Sequence, residues 1–100
     1  MTRQDAPRWN FELDEGRARK LEGELRDELP PGHVLEGLQV RAVAVSKVWK
    51  DTVAFIMADG RVASVHLTWR KETDPTWPWT DIFANFELLT QYEDLNFEKA

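Results

Sequence analysis

The chain has no cysteine, which excludes disulfides and cysteine catalysis and fits the cytosol. No run of about 18 apolar residues occurs, so no membrane-spanning helix is expected. Met1-Thr2-Arg3-Gln4-Asp5-Ala6-Pro7-Arg8 lacks the apolar stretch of a signal peptide, so none is expected. Glycines 16, 23, 32, 37 and 60 are scattered and form no phosphate-binding loop. Ser46 and Ser64 lack the Gly-x-Ser-x-Gly context that exposes a nucleophile. Basic residues are in deficit, 13 Lys and Arg against 18 Asp and Glu. An acidic chain without a basic patch is a poor match for nucleic acid, where affinity comes from Lys and Arg displacing counterions, and for anionic membranes.

The 100 residues, 42% of them hydrophobic and including five Trp and five Phe, suffice for one domain with one core. Residues 1–10 read as loosely ordered, although Trp9 and Phe11 could dock as an anchor. Residues 14–29 read as an amphipathic helix. Ala18, Leu21, Leu25 and Leu29 keep to one stripe, and Glu15/Arg19 and Glu22/Arg26 are i,i+4 pairs in the favourable order. Pro30-Pro31-Gly32 stops the helix.

Residues 38–69 read as three strands. Leu38, Val40, Ala42 and Ala44 alternate with Gln39, Arg41, Val43 and Val45. Asp59-Gly60 then separates two apolar runs, a strong hairpin signal. A two-residue loop there pairs Ile56 with Ala63, Ala54 with Val65 and Thr52 with Leu67. That register predicts Ile56, Val65, Leu67 and Trp69 against the helix, and Phe55, Met57, Ser64 and His66 on a mixed opposite face. Residues 70–80 read as a Trp/Pro loop, and 80–84 as a candidate fourth strand. Asn85 reads as the N-cap of a short helix over 86–94, with Phe86, Leu89 and Tyr92 inward. The last six residues are expected to fray.

His66, mid-strand, could serve as a general base or a ligand, with Asp81 as the acid that orients it. The plainer reading is a half-buried histidine satisfied by a neighbour such as Ser64 or Thr68. His33 is the only other histidine, and no His-x-His or His-x-x-x-His spacing occurs, so neither a metal nor another cofactor is expected. Trp49, Trp69, Trp77 and Trp79 fall within 31 residues. Such clusters build interface hot spots, proline-peptide grooves and sugar platforms, and they also build cores. Trp69 is expected in the core; Trp49, Trp77, Trp79 and His66 are the candidate binding residues. Glu93-Asp94 reads as part of a solvated acidic face.

Val65-His66-Leu67-Thr68-Trp69, with Asp74-Pro75-Thr76-Trp77-Pro78 after it and Gly32-His33 before it, resembles a group of small uncharacterised bacterial proteins. The likeness spans roughly Pro31 to Leu88. The group has no established activity, so the resemblance implies no catalytic residue; it implies a bacterial, cytoplasmic origin.

The expected fold is α+β: an antiparallel sheet of three to four strands packed against the N-terminal helix, with a short C-terminal helix. Exposed sheet edges make a homodimer an expectation. The expected function is non-enzymatic, a protein-binding or regulatory module that holds a protein partner through Trp77, Trp79 and the mixed sheet face. An inhibitor or immunity-type partner of a basic toxin is a special case. The alternatives are a small enzyme or ligand binder using His66, and a Trp-based carbohydrate-binding module.

Overall fold

A computed structural model of the chain describes residues 8–99, with side chains through Leu95. The element order is β1 (Trp9–Asn10), α1 (Glu15–Glu28), β2 (Val40–Ser46), β3 (Thr52–Met57), β4 (Val62–His66), β5 (Trp79–Phe83) and α2 (Phe86–Lys99). All neighbouring strands are antiparallel, and their order in the sheet follows the chain. The α+β class and the N-terminal helix agree with the sequence reading, but the sheet has a fifth strand. That strand is Trp9–Asn10, expected to be loose, which pairs with Ser46 and Val45. Trp9 is buried there, edge-on to Phe86 with ring centroids 5.7 Å apart. Removing an indole from water is enough to order so short a segment. The rest of the stretch expected to be loose, residues 1–7, lies outside the described residues. Among the described residues no helix is long and apolar enough to cross a membrane.

Helix α1 starts where Asp14, in extended conformation, accepts the Arg17 N–H at 2.8 Å. Leu21 and Leu25 are buried, with Ala18 and Leu29 partly so. Glu15 and Arg19 pair at 2.8 Å on the exposed face. Glu22, one turn further on, reaches the sheet and accepts the Ala42 N–H at 2.9 Å. That amide lies at an irregularity. Ala42 is opposite Phe55 but Ala44 is opposite Ala54, so Val43 is an extra residue in β2. The bulge breaks the expected alternation and sends Ala42 and Ala44 to opposite cores.

The β3–β4 register differs by one residue from that expected. Ile56 pairs with Val62, Phe55 with Ala63, Ala54 with Ser64 and Thr52 with His66. The loop has three residues rather than two: Met57 N donates to Arg61 O, Gly60 N donates to Met57 O, and Gly60 takes φ +95°. This is the type I turn closed by a left-handed glycine, the next commonest hairpin solution. The Asp59 side chain reinforces it by accepting the Arg61 N–H at 3.0 Å. A one-residue slip exchanges faces. Val53, Phe55 and Met57 therefore join Ala63, Val65 and Leu67 under Leu21, Leu25 and Leu35, while Ile56 is 37% exposed on the opposite side.

The opposite face holds Trp9, Ala44, Ala54, Val62 and Leu89, packed with Val43, Phe83 and Phe86. Helix α2 covers this part of the sheet. Asn85 caps it as expected, accepting the Leu88 N–H at 2.9 Å. The helix runs on through Lys99, past the expected end at Asp94 and into the segment expected to fray. Neither glycine nor proline interrupts Leu95-Asn96-Phe97-Glu98-Lys99. Its middle is tethered by the Trp9 indole N–H on Glu93 and by the Arg8–Asp94 ion pair.

Trp69, expected in the core, is 52% exposed. Strand β4 ends at His66, and Trp69 takes φ +62°, which ends the alternation. The fully buried Glu28 carboxylate holds this turn, accepting Thr68 N (3.0 Å), Thr68 Oγ1 (3.2 Å) and Trp69 N (2.6 Å). Glu24, one helical turn earlier, feels it. Hydrogen bonding to Glu28, partial burial and repulsion from Glu28 and Asp27 push its carboxyl up to about 7. A raised carboxyl binds its proton more tightly in the folded state. Its contribution to stability is therefore whole below the unfolded value near 4.5 and is lost as pH rises towards about 7. Glu24→Gln should remove this decline. In urea unfolding between pH 5 and 8, the variant should gain about 1 kcal/mol on wild type, well below the full shift because solvent screens the site. An unchanged difference would show that Glu24 titrates normally.

Candidate functional site

The half of the second sheet face that α2 leaves uncovered forms a groove of about 660 Å³. The register dictates its floor. Thr52, His66 and Trp79 stand in one cross-strand row, and Ser64 and Asp81 in the next. Trp49 contributes from the β2–β3 turn, where the Ser46 hydroxyl accepts its N–H at 2.9 Å. Leu89, Tyr92 and Glu93 contribute from α2, and Trp77 from the loop before β5. All the sequence-nominated site residues thus meet here: His66, Asp81, Trp49, Trp77 and Trp79.

The loop carrying Trp77 is held from behind. His33 is buried. Its Nδ1 accepts the Leu35 N–H at 3.0 Å, which leaves Nε2–H to donate to Pro78 O at 2.8 Å. The Trp77–Pro78 peptide is cis. Asp74 accepts the Thr76 N–H at 2.9 Å, and this backbone hydrogen bond lowers its carboxyl below the ordinary range. Asp74 is thus a turn-former, and His33 a structural clasp. The indoles of Trp77 and Trp79 lie 6.1 Å apart at 53° and form a bent aromatic wall. They are 41% and 50% exposed, and Trp49 is 54% exposed.

His66 is exposed rather than half-buried, and its Nδ1 lies 3.3 Å from Thr52 Oγ1, not against Ser64 or Thr68. Asp81 Oδ2 accepts the Trp79 indole N–H at 3.3 Å. Ser64, His66 and Asp81 share the floor, yet among the described residues no hydrogen bond joins any two of them. A nucleophile–base–orienter relay requires two such bonds. Among the described residues no three His, Asp or Glu side chains converge as metal ligands would.

Glu93 departs from the solvated acidic face expected of it. It is buried, accepting the Trp9 indole N–H at 2.8 Å with Arg8 Nε 3.9 Å away. Burial raises its carboxyl, opposed by Trp9 and Arg8. The spacing Phe86, Leu89, Glu93 places it on the inward stripe of α2, a signal present in the sequence. Thr52 and Tyr92 were also not nominated as site residues; Thr52 follows once the register is known, and Tyr92 packs on Phe83 at 5.4 Å. Compared with known proteins, the chain matches no family model, no curated protein and no solved structure.

Proposed function

We propose that the protein is a non-enzymatic binding module whose aromatic groove holds a segment of a partner protein. One observation carries this reading: Trp49, Trp77, Trp79 and Tyr92, all about half exposed, surround a single groove with a polar floor. Aromatic side chains left in water around a concave site are the composition of interface hot spots. The unlinked Ser64, His66 and Asp81 favour binding over catalysis.

The test is a titration of isotope-labelled protein, followed through assigned indole N–H signals. Short synthetic peptides of varied sequence should shift Trp49, Trp77 and Trp79 and leave Trp69, which lies outside the groove lining, unmoved. Shifts produced by oligosaccharides and by no peptide would overturn the reading in favour of a carbohydrate platform. Turnover of a model ester or glycoside that His66→Ala abolishes would overturn it in favour of an enzyme.

A further inference from the structure

The groove's charge is as informative as its rings. Its formal charges belong to Asp81 and Glu93, and no Lys or Arg lines it. Lys47 and Lys50, on the turn that carries Trp49, are exposed and lie outside the lining. Glu93 has its nearby cation, Arg8, and a donor in Trp9. Asp81 differs: its one hydrogen bond is the 3.3 Å contact from Trp79 to Oδ2, and among the described residues Oδ1 accepts none. The groove therefore sets a carboxylate with a free oxygen directly beside indole rings.

We propose that this groove is an arginine-recognition site, in which an arginine side chain of the partner segment stacks on the Trp77–Trp79 wall and pairs with Asp81. The inference rests on the binding reading above and names the chemistry of what is bound. Indole is the best side-chain partner for a cation, through the negative face of its ring. A guanidinium suits the site better than an ammonium. It is planar, so it stacks. It is weakly hydrated, so its transfer into an aromatic groove costs less. It donates in a fork that a carboxylate can accept. The overall charge of −5 also steers basic partners towards the molecule.

The probe is a short alanine-based peptide with one arginine, compared with peptides bearing citrulline or norleucine at that position. Citrulline keeps the shape and loses the charge. The arginine peptide should shift the Trp77 and Trp79 indole signals and bind at least ~10-fold more tightly than citrulline, with the preference falling as salt rises. Asp81→Asn, nearly isosteric on an edge strand, should cut the preference sharply, to what stacking on the indoles alone supports. If that variant fails to fold, the salt dependence of the wild-type preference decides.

Equal binding of all three peptides would overturn arginine recognition while leaving a peptide-binding groove. Failure of all three, while other peptides move the same indoles, would overturn it too. A preference unchanged in Asp81→Asn would remove the pairing it depends on. If no peptide of any kind moves the indoles, it is the binding reading itself that fails.

Discussion

Phe55→Ala should destabilise the protein by about 3–5 kcal/mol, whereas Ile56→Ala, its immediate neighbour, should cost roughly 1 kcal/mol. The contrast rests on which face of β3 each side chain occupies. Phe55 has no exposed surface and packs among Leu21, Leu25, Val53 and Val65. Truncating it opens a cavity that a sheet closed on this side by α1 cannot collapse. Ile56 sits opposite Val62 on the other face, with over a third of its surface in water. Its truncation loses part of a transfer term and leaves no void. Urea unfolding of the two variants at matched pH reads the difference directly. The reverse order would restore the two-residue loop and, with it, the exchanged faces.

That pair of residues also marks how much of the fold is legible in the sequence. Helix α1, the Asn85 cap and the hairpin all announce themselves locally, through period, cap residue and turn residue. Asp59-Gly60 identifies the turn but not its length. Two- and three-residue loops both accept Gly60 at positive φ, and they differ by the single residue that exchanges the faces of β3 against β4. The bulge at Val43 is silent for a related reason. Nothing in Val40-Arg41-Ala42-Val43-Ala44-Val45 marks the extra residue, and the group that satisfies the Ala42 amide, Glu22, lies 20 residues away. Trp69 leaves the core because alternation stops at His66, where the buried Glu28 carboxylate turns the chain.

The candidate site was more legible than the core. Trp77 and Trp79 flank one proline, and Asp81 follows within the same strand, so their proximity is local. Their meeting with His66 and Trp49 depends on the order β3-β4-β5, in which each strand pairs with its sequence neighbour. A sheet without crossovers sets residues of adjacent strands side by side, but which of them share the groove's face depends on the hairpin register. His33 was invisible in its actual role. Its clasp on Pro78 O reaches across 45 residues and has no local pattern.

Glu28→Ala should cost about 3–5 kcal/mol, as much as the loss of a core aromatic, although it removes a charged residue from the end of a helix. Exposed glutamates replaced in this way usually change stability by less than about 0.5 kcal/mol. Glu28 differs because its carboxylate is fully buried and accepts from two backbone amides and the Thr68 hydroxyl. Alanine would leave those donors without an acceptor, at about 1–3 kcal/mol for each one kept from water. It would also release Trp69 from the left-handed backbone that the 2.6 Å bond to its N–H sustains. Glu28→Gln keeps one acceptor oxygen but turns an amide towards a donor, so it should recover only part of the loss. Glu28→Ala removes both the hydrogen-bond partner and the charge that raise the Glu24 carboxyl, so the decline in stability between pH 5 and 8 should flatten in it as in Glu24→Gln, and less so in Glu28→Gln, which keeps an acceptor oxygen. A loss below about 0.5 kcal/mol in Glu28→Ala would mean that water reaches the Thr68–Trp69 amides. A steep pH profile surviving in Glu28→Ala would mean that Glu24 owes its shift to burial rather than to its partner.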